Sequence, residues 1–111
     1  MGLPSKRTVV LIRFPFSDLT QSKLRPAVVL ASAGKGDWIL CQITSQRYAD
    51  RKAIKISKAD FRIGSLRKTS FVRFAKLFTA NESLIVSQIG ELKQEKFSSI
   101  IDSITKLFTE G

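Results

Sequence analysis

The chain has 111 residues, 43% of them apolar, with nineteen Lys and Arg against nine Asp and Glu, a net charge of +10 and a pI near 10.3. This length and apolar content predict a single domain over residues 1–111 with one modest core. The chain has no histidine, which excludes a His general base and His-ligated metal centres, and no apolar run suggests a membrane span or a secretory leader.

The charge is uneven: sixteen of the nineteen cationic residues, but four of the nine acidic ones, precede Leu77. A cationic excess gathered in the first two-thirds reads as a patch for a polyanion, so nucleic acid is the expected partner; the bland alternative is charge that serves solubility alone. Cys41, the single cysteine, falls in the apolar run Trp38-Ile39-Leu40-Cys41. It is expected to be a small buried hydrophobe with no intrachain disulfide, which suits a reducing cytoplasmic setting.

Thr8-Val9-Val10-Leu11-Ile12 is β-branched and apolar throughout, the pattern of a strand covered on both faces, and Pro15 ends it. A polar, cationic stretch from Ser17 then reaches Arg25-Pro26 and turns abruptly into Ala27-Val28-Val29-Leu30-Ala31, a second strand. Ala33-Gly34-Lys35-Gly36-Asp37 supplies a turn, so residues 38–44 are expected to return as the hairpin partner. Residues 53–56 and 70–74 alternate, and the latter set Phe71 and Arg73 on one face and Val72 and Phe74 on the other. A short helix is expected near residues 58–61, while residues 83–89 suit either a strand or the approach to a helix. From Leu92, the residues Phe97, Ile100, Ile101, Ile104, Leu107 and Phe108 recur at three- and four-residue steps between Gly90 and Gly111, the stripe of an amphipathic helix. The expected class is mainly β (α+β), a small, partly open antiparallel barrel of about five to seven strands with a long C-terminal helix.

Arg25 is the first candidate for chemistry. The proline after it favours an extended backbone, which fixes the direction in which the side chain leaves the strand. A planar guanidinium fork matches two phosphate oxygens at once, whereas pairing with Asp18 or another acid to anchor the loop is the structural alternative. Thr44-Ser45 closes the strand after the turn, where hydroxyls can donate to a phosphate or relay a proton; such residues also end strands through local turn hydrogen bonds. In an antiparallel hairpin both residues 25 and 44 are distal to the turn, so Arg25 and Thr44 are expected to be neighbours. Arg73 between Phe71 and Ala75 suits stacking and neutralisation of single-stranded nucleic acid, or else guards an edge strand. Arg47, Arg51 and Lys52 fall in a polar loop, where they could track a backbone or simply be solvated.

The stretches "VVLIRFPFSDLTQSKLRPAVVLA", "WILCQITS" and "SFVRFAKLFT", in that order, resemble the PemK/MazF family of bacterial toxin–antitoxin toxins over nearly the whole chain. The resemblance implies an SH3-like barrel, a homodimer, and metal-independent, sequence-selective cleavage of single-stranded RNA without a cofactor, blocked by an acidic antitoxin. It puts the family's catalytic arginine on Arg25 and its catalytic threonine on Thr44. The RNA-binding set expected around them comprises Asp18, Gln21, Lys23, Ser45, Arg47, Arg73 and Lys76. The implied reaction is attack of a ribose 2′-hydroxyl on the adjacent phosphorus, leaving a 2′,3′-cyclic phosphate and a 5′-hydroxyl. Thr20 and Ala75 stand where many members carry an acid. Two alternatives remain at this level: a non-enzymatic toxin of the same barrel that poisons a protein such as DNA gyrase through residues 104–108, and an inactive nucleic-acid-binding module.

Overall fold

A computed structural model describes residues 4–15, 22–47 and 51–111. Among them, seven strands run β1 (Thr8–Pro15), β2 (Ser22–Gly34), β3 (Asp37–Thr44), β4 (Ile54–Ile56), β5 (Phe61–Gly64), β6 (Ser70–Asn81) and β7 (Ile85–Leu92), followed by one helix, α1 (Gln94–Thr109). They form a single sheet in the order β4-β6-β3-β2-β1-β7-β5, and every pairing is antiparallel. The expected fold class holds, at the upper end of its strand count.

Topology forces the sheet to curl. β4 and β5 are its two edges, yet Ile56 and Phe61 are joined by only the short 3₁₀ turn Lys58–Asp60 and its flanks. Five residue steps span at most about 18 Å, whereas the edges of seven flat strands stand about 29 Å apart. The sheet closes the difference by wrapping round a core in which Ile56 and Phe61 both join Val9, Val28, Cys41, Ile43, Val72 and Leu92. From α1, Phe97 and Ile100 enter the same core, with Ile104 and Leu107 packed at its margin. The stripe is thus buried at Phe97 and Ile100 and half-buried at Ile104 and Leu107 against the inside of a half-barrel, while its other members, Ile101 and Phe108, stay exposed.

A second, smaller cluster covers the opposite face, with Val10, Ile12, Ala27, Val29, Leu40, Ala80 and Ile85 at its centre and Trp38, Phe78 and Leu84 packed on it. Neighbouring Val9 and Val10 therefore belong to different cores, which explains why the first strand is apolar without interruption. Phe14 meets Phe78 edge to face, ring centres 5.0 Å apart at 73°, and Trp38 Nε1 donates to Glu82 Oε2 at 3.3 Å.

The β2–β3 turn needs its glycines: Gly34, Lys35 and Gly36 have φ of 90°, 54° and 80°, the left-handed region in which glycine carries no steric penalty. Across the β5–β7 pair, Gly64 opposes Gly90, and a Cβ built on Gly90 lies 2.4 Å from the Ile63 carbonyl oxygen, so only bare backbone fits. Glu91 fastens this corner by accepting from Arg7 at 3.1 Å and Arg62 at 3.0 Å, while Arg7 also donates to Gln94 at the start of α1.

Several boundaries differ from expectation for local reasons. The short helix expected near residues 58–61 is a single 3₁₀ turn, Lys58–Asp60, with Asp60 Oδ2 accepting the Ser57 N–H at 2.9 Å. Phe61 then opens β5. Leu92 ends β7, its N–H donating to Arg7 O at 2.9 Å, so the helix starts after it at Gln94. Residues 83–89 resolve into a 3₁₀ turn, Glu82–Leu84, and then β7. No helix among the described residues is long and apolar enough to cross a membrane.

Candidate nucleic-acid interface

Arg25 and Thr44 lie at the same end of the β2–β3 hairpin. β2 pairs β3 with Val28 opposite Cys41 and, at that end, Ala27 opposite Gln42; Arg25 and Thr44 each stand two residues beyond the Ala27–Gln42 pair on their own strands. On the far side of β2, Arg25 opposes Ile12; on the far side of β3, Thr44 opposes Phe71, which in turn opposes Lys55. Two partial rows result, Ile12 and Arg25 across β1 and β2, and Thr44, Phe71 and Lys55 across β3, β6 and β4. The neighbouring row carries Ala27, Gln42 and Arg73.

Strand alternation assigns these rows to the face that turns away from α1, the face of Val10, Ile12, Ala27 and Val29. They have a dry floor and a wetter rim. Ile12 and Ala27 are each 1% exposed, whereas Arg25, Gln42, Thr44, Phe71 and Arg73 are half-buried and Lys55 is exposed. The Nε of Arg25 is withdrawn from solvent, so the guanidinium is rooted in the sheet rather than free on a flexible stem. The Gln46 N–H donates to Thr44 Oγ1 at 3.1 Å. That bond occupies one lone pair of the hydroxyl and leaves its proton to be donated.

The other expected contact residues are placed less uniformly. Lys23 is exposed and lies two residues before Arg25 on the same face, opposite Phe14. Ser45 and Arg47 are exposed just past the end of β3. Phe71 and Arg73 share a face, and Val72 and Phe74 are buried on the other. Beyond Arg73 the register jumps: Gln42 opposes Arg73 but Cys41 opposes Leu77, so Phe74, Ala75 and Lys76 bulge out with no β3 partner. Lys76 is exposed on that bulge, outside these rows. Asp18 and Gln21 lie outside the described residues. Lys52 lines a cleft beside Phe74, Lys106 and Leu107 near the end of α1, on the helix side of the sheet.

Sequence patterning did not mark Gln42 or Lys55. The signal was available for Gln42, since period-two alternation back from Thr44 reaches it; Lys55 enters only through the β4–β6 register. Cys41, between Gln42 and Leu40, points into the helix-side core and takes no part, with burial pushing its thiol up to about 12. The clefts along α1 are lined by residues other than Arg25, Thr44 and Arg73. On their own face Arg25, Gln42, Thr44 and Arg73 reach solvent only in part, beside the covered Ile12 and Ala27. Among the described residues no group of His, Cys, Asp or Glu is arranged to hold a metal ion.

A curled antiparallel half-barrel closed by one helix, with a cation and a hydroxyl at one end of neighbouring strands, defines a compact barrel class. Residues 5–108 match the profile of the PemK-like, MazF-like toxins of type II toxin–antitoxin systems. The chain belongs to that family. Among solved structures it resembles a MazF chain in a MazE–MazF complex from Deinococcus radiodurans, with a TM-score of 0.78 and 17% identity over 100% of both chains. It also resembles the Mycobacterium tuberculosis toxin MazF-mt6, with a TM-score of 0.72 and 16% identity over 93% of this chain and 97% of that one. A mycobacterial endoribonuclease in complex with its cognate antitoxin superposes with a TM-score of 0.68 and 12% identity, covering 96% and 93%. At such identities the likeness speaks for the fold. A search of curated proteins returns no match.

Proposed function

We propose that this toxin-family protein is a metal-independent endoribonuclease that cleaves single-stranded RNA at the Arg25–Thr44 face. What supports the reading is that Arg25 and Thr44 stand at the same end of paired strands and on one face, with the Arg25 Nε withdrawn from solvent and the Thr44 hydroxyl accepting from the Gln46 N–H. Family membership supports the chemistry. The ribose O2′ bonds to phosphorus, the bond to O5′ breaks, and the proton lost at O2′ is balanced by one gained at O5′. Charge builds on the phosphorane oxygens, and donors already in position stabilise it without reorganising. Arg25 supplies a bidentate fork to those oxygens. Thr44 donates its hydroxyl proton to the phosphate or relays the proton in transit. Phe71, beside Thr44, offers a surface on which a flanking base stacks, and Arg73, Lys55 and Lys23 neutralise adjoining phosphates.

The partners of this reading are single-stranded RNA, an acidic antitoxin and a second copy of the chain. The Deinococcus and mycobacterial neighbours include toxin–antitoxin complexes, and a net charge of +10 favours an acidic segment at the same face.

The test is incubation of purified protein with single-stranded RNA in EDTA, followed by identification of the new ends. Wild type is expected to leave 2′,3′-cyclic phosphate and 5′-hydroxyl ends, and Arg25→Ala to be slower by about 10²–10³-fold, the size of a lost oxyanion donor. No cleavage by wild type, or equal cleavage by Arg25→Ala, refutes the proposal.

A further inference from the structure

We infer that Gln42 is a specificity-determining residue, reading through its side-chain amide the edge of the base next to the phosphate held by Arg25 and Thr44. The inference rests on the RNA-cleaving reading above and adds to it the group that chooses the site.

Gln42 precedes Thr44 by two residues on β3 and so shares its face, with Ala27 opposite on β2 and Arg73 opposite on β6. It is half-buried. Among the described residues its amide has no hydrogen-bond partner, whereas the amides of Asn81 and Gln94 are both engaged, Asn81 with Asp37 and Ser83 and Gln94 with Arg7 and Ser98. Among the described residues the Gln42 amide is not sealed from solvent as the Arg25 Nε is, so it is reached by water, and a ligand carrying the complementary donor and acceptor exchanges that water for two aimed hydrogen bonds. Arg73, opposite on β6, holds the adjoining backbone.

The chemistry of the side chain selects the ligand group. A phosphate wants cations, and Arg25, Lys55 and Arg73 already supply them in the same rows. An uncharged amide presents one donor and one acceptor side by side, the pattern that a base edge matches in two hydrogen bonds. In single-stranded RNA those edges are free, since the bases are unpaired.

The experiment uses the full chain and a single-stranded RNA pool of randomised sequence, with the cut ends sequenced for wild type, Gln42→Ala and Gln42→Glu. Wild type is expected to prefer one base at a position adjoining the scissile bond. Gln42→Ala should lower that preference about 5- to 150-fold, the discrimination of one bidentate amide–base contact, while cleavage at disfavoured bases stays near its wild-type rate. Gln42→Glu, which accepts but no longer donates, should move the preference toward cytosine, whose amino group donates. Thermal melts confirm that each variant is folded; if Gln42→Ala is not, the shorter amide of Gln42→Asn should keep the preferred base with weaker discrimination. Equal slowing at every site, with the base distribution unchanged, overturns the inference and leaves cleavage by Arg25 intact. No cleavage by wild type overturns both.

Discussion

The Thr44 hydroxyl is the point on which chemistry and local structure pull in separable directions. Its oxygen accepts from the Gln46 N–H, which helps turn the chain at the end of β3, and its proton remains for a substrate. Thr44→Val removes both, Thr44→Ser neither. RNA cleavage is expected to fall about 10²-fold or more in the valine variant and to stay within tenfold of wild type in the serine variant; equal rates for all three remove Thr44 from the mechanism. Arg25→Lys tests geometry rather than charge, because an ammonium cannot hold two phosphate oxygens in one plane, and it should cleave far more slowly than wild type while binding RNA nearly as well. On the opposite face, Cys41 is 0% exposed and burial raises its thiol from 9.0 to about 12. Unfolded chains release that proton above pH 9 and folded ones do not, so the contribution to stability is complete below pH 9 and disappears as pH climbs toward 12. Native protein should therefore resist thiol reagents at pH 8, and Cys41→Ala should lose less stability than wild type between pH 9 and 11, measured by denaturant melts at each pH.

Phe61 anchors one end of β5 in the core, and close backbone contact at Gly64 and Gly90 fixes the other. Gly90→Ala drives a methyl group into the Ile63 carbonyl, and the expected cost is about 1–3 kcal/mol by denaturant unfolding, the range for forced overpacking. Amide exchange in β5 should rise with it; an unchanged midpoint shows that the two strands part without cost. Ile100, 0% exposed beneath α1, is the contrasting case, where truncation to Ala leaves a cavity worth about 2–5 kcal/mol. These elements also show what the sequence discloses. β1, the β2–β3 hairpin and α1 were readable because each carries an uninterrupted signal: a doubly apolar run, a Gly-Lys-Gly turn, a three-and-four stripe. β5 was not, since Phe61-Arg62-Ile63-Gly64 is too short to establish a period and is a strand only because β7 pairs with it. β6 was read as far as Phe74 and continues to Asn81, because the bulge at residues 74–76 resets the alternation in mid-strand. Arg25 and Thr44 could be brought to the same end from the turn alone, whereas the alignment of Lys55 with Thr44 depends on a pairing between elements that no local pattern encodes.

Across the molecule, cations stand on both sides of the sheet, Lys52, Lys96 and Lys106 among them on the helix side. Lys23, Arg25, Lys55 and Arg73 lie on the sheet face away from α1, while Lys106 on the helix is already engaged by Asp102 at 3.4 Å. Phe108, near the helix end, is the most exposed large apolar residue among the described ones, at 74%, and it falls in the segment 104–108 on which the protein-poisoning alternative rests. The two modes differ in their response to salt. Each phosphate contact on a single strand contributes about −0.7 to the slope of log affinity against log salt, so four cations on the sheet face give a slope near −3 and roughly a thousandfold loss of affinity per decade of salt. Binding is best measured with an RNA carrying a 2′-deoxyribose at the cut site, which blocks the attacking hydroxyl and leaves the phosphates in place. Lys55→Gln and Lys23→Gln should each flatten the slope by about 0.7, and Lys106→Gln should leave it alone. Phe108→Ser, a change on an exposed side chain, should alter neither cleavage nor fold stability beyond about 0.5 kcal/mol. If Lys106→Gln and Lys55→Gln flatten the slope equally, RNA lies across the helix as much as across the sheet, and the face assigned to catalysis is not the one that receives the strand.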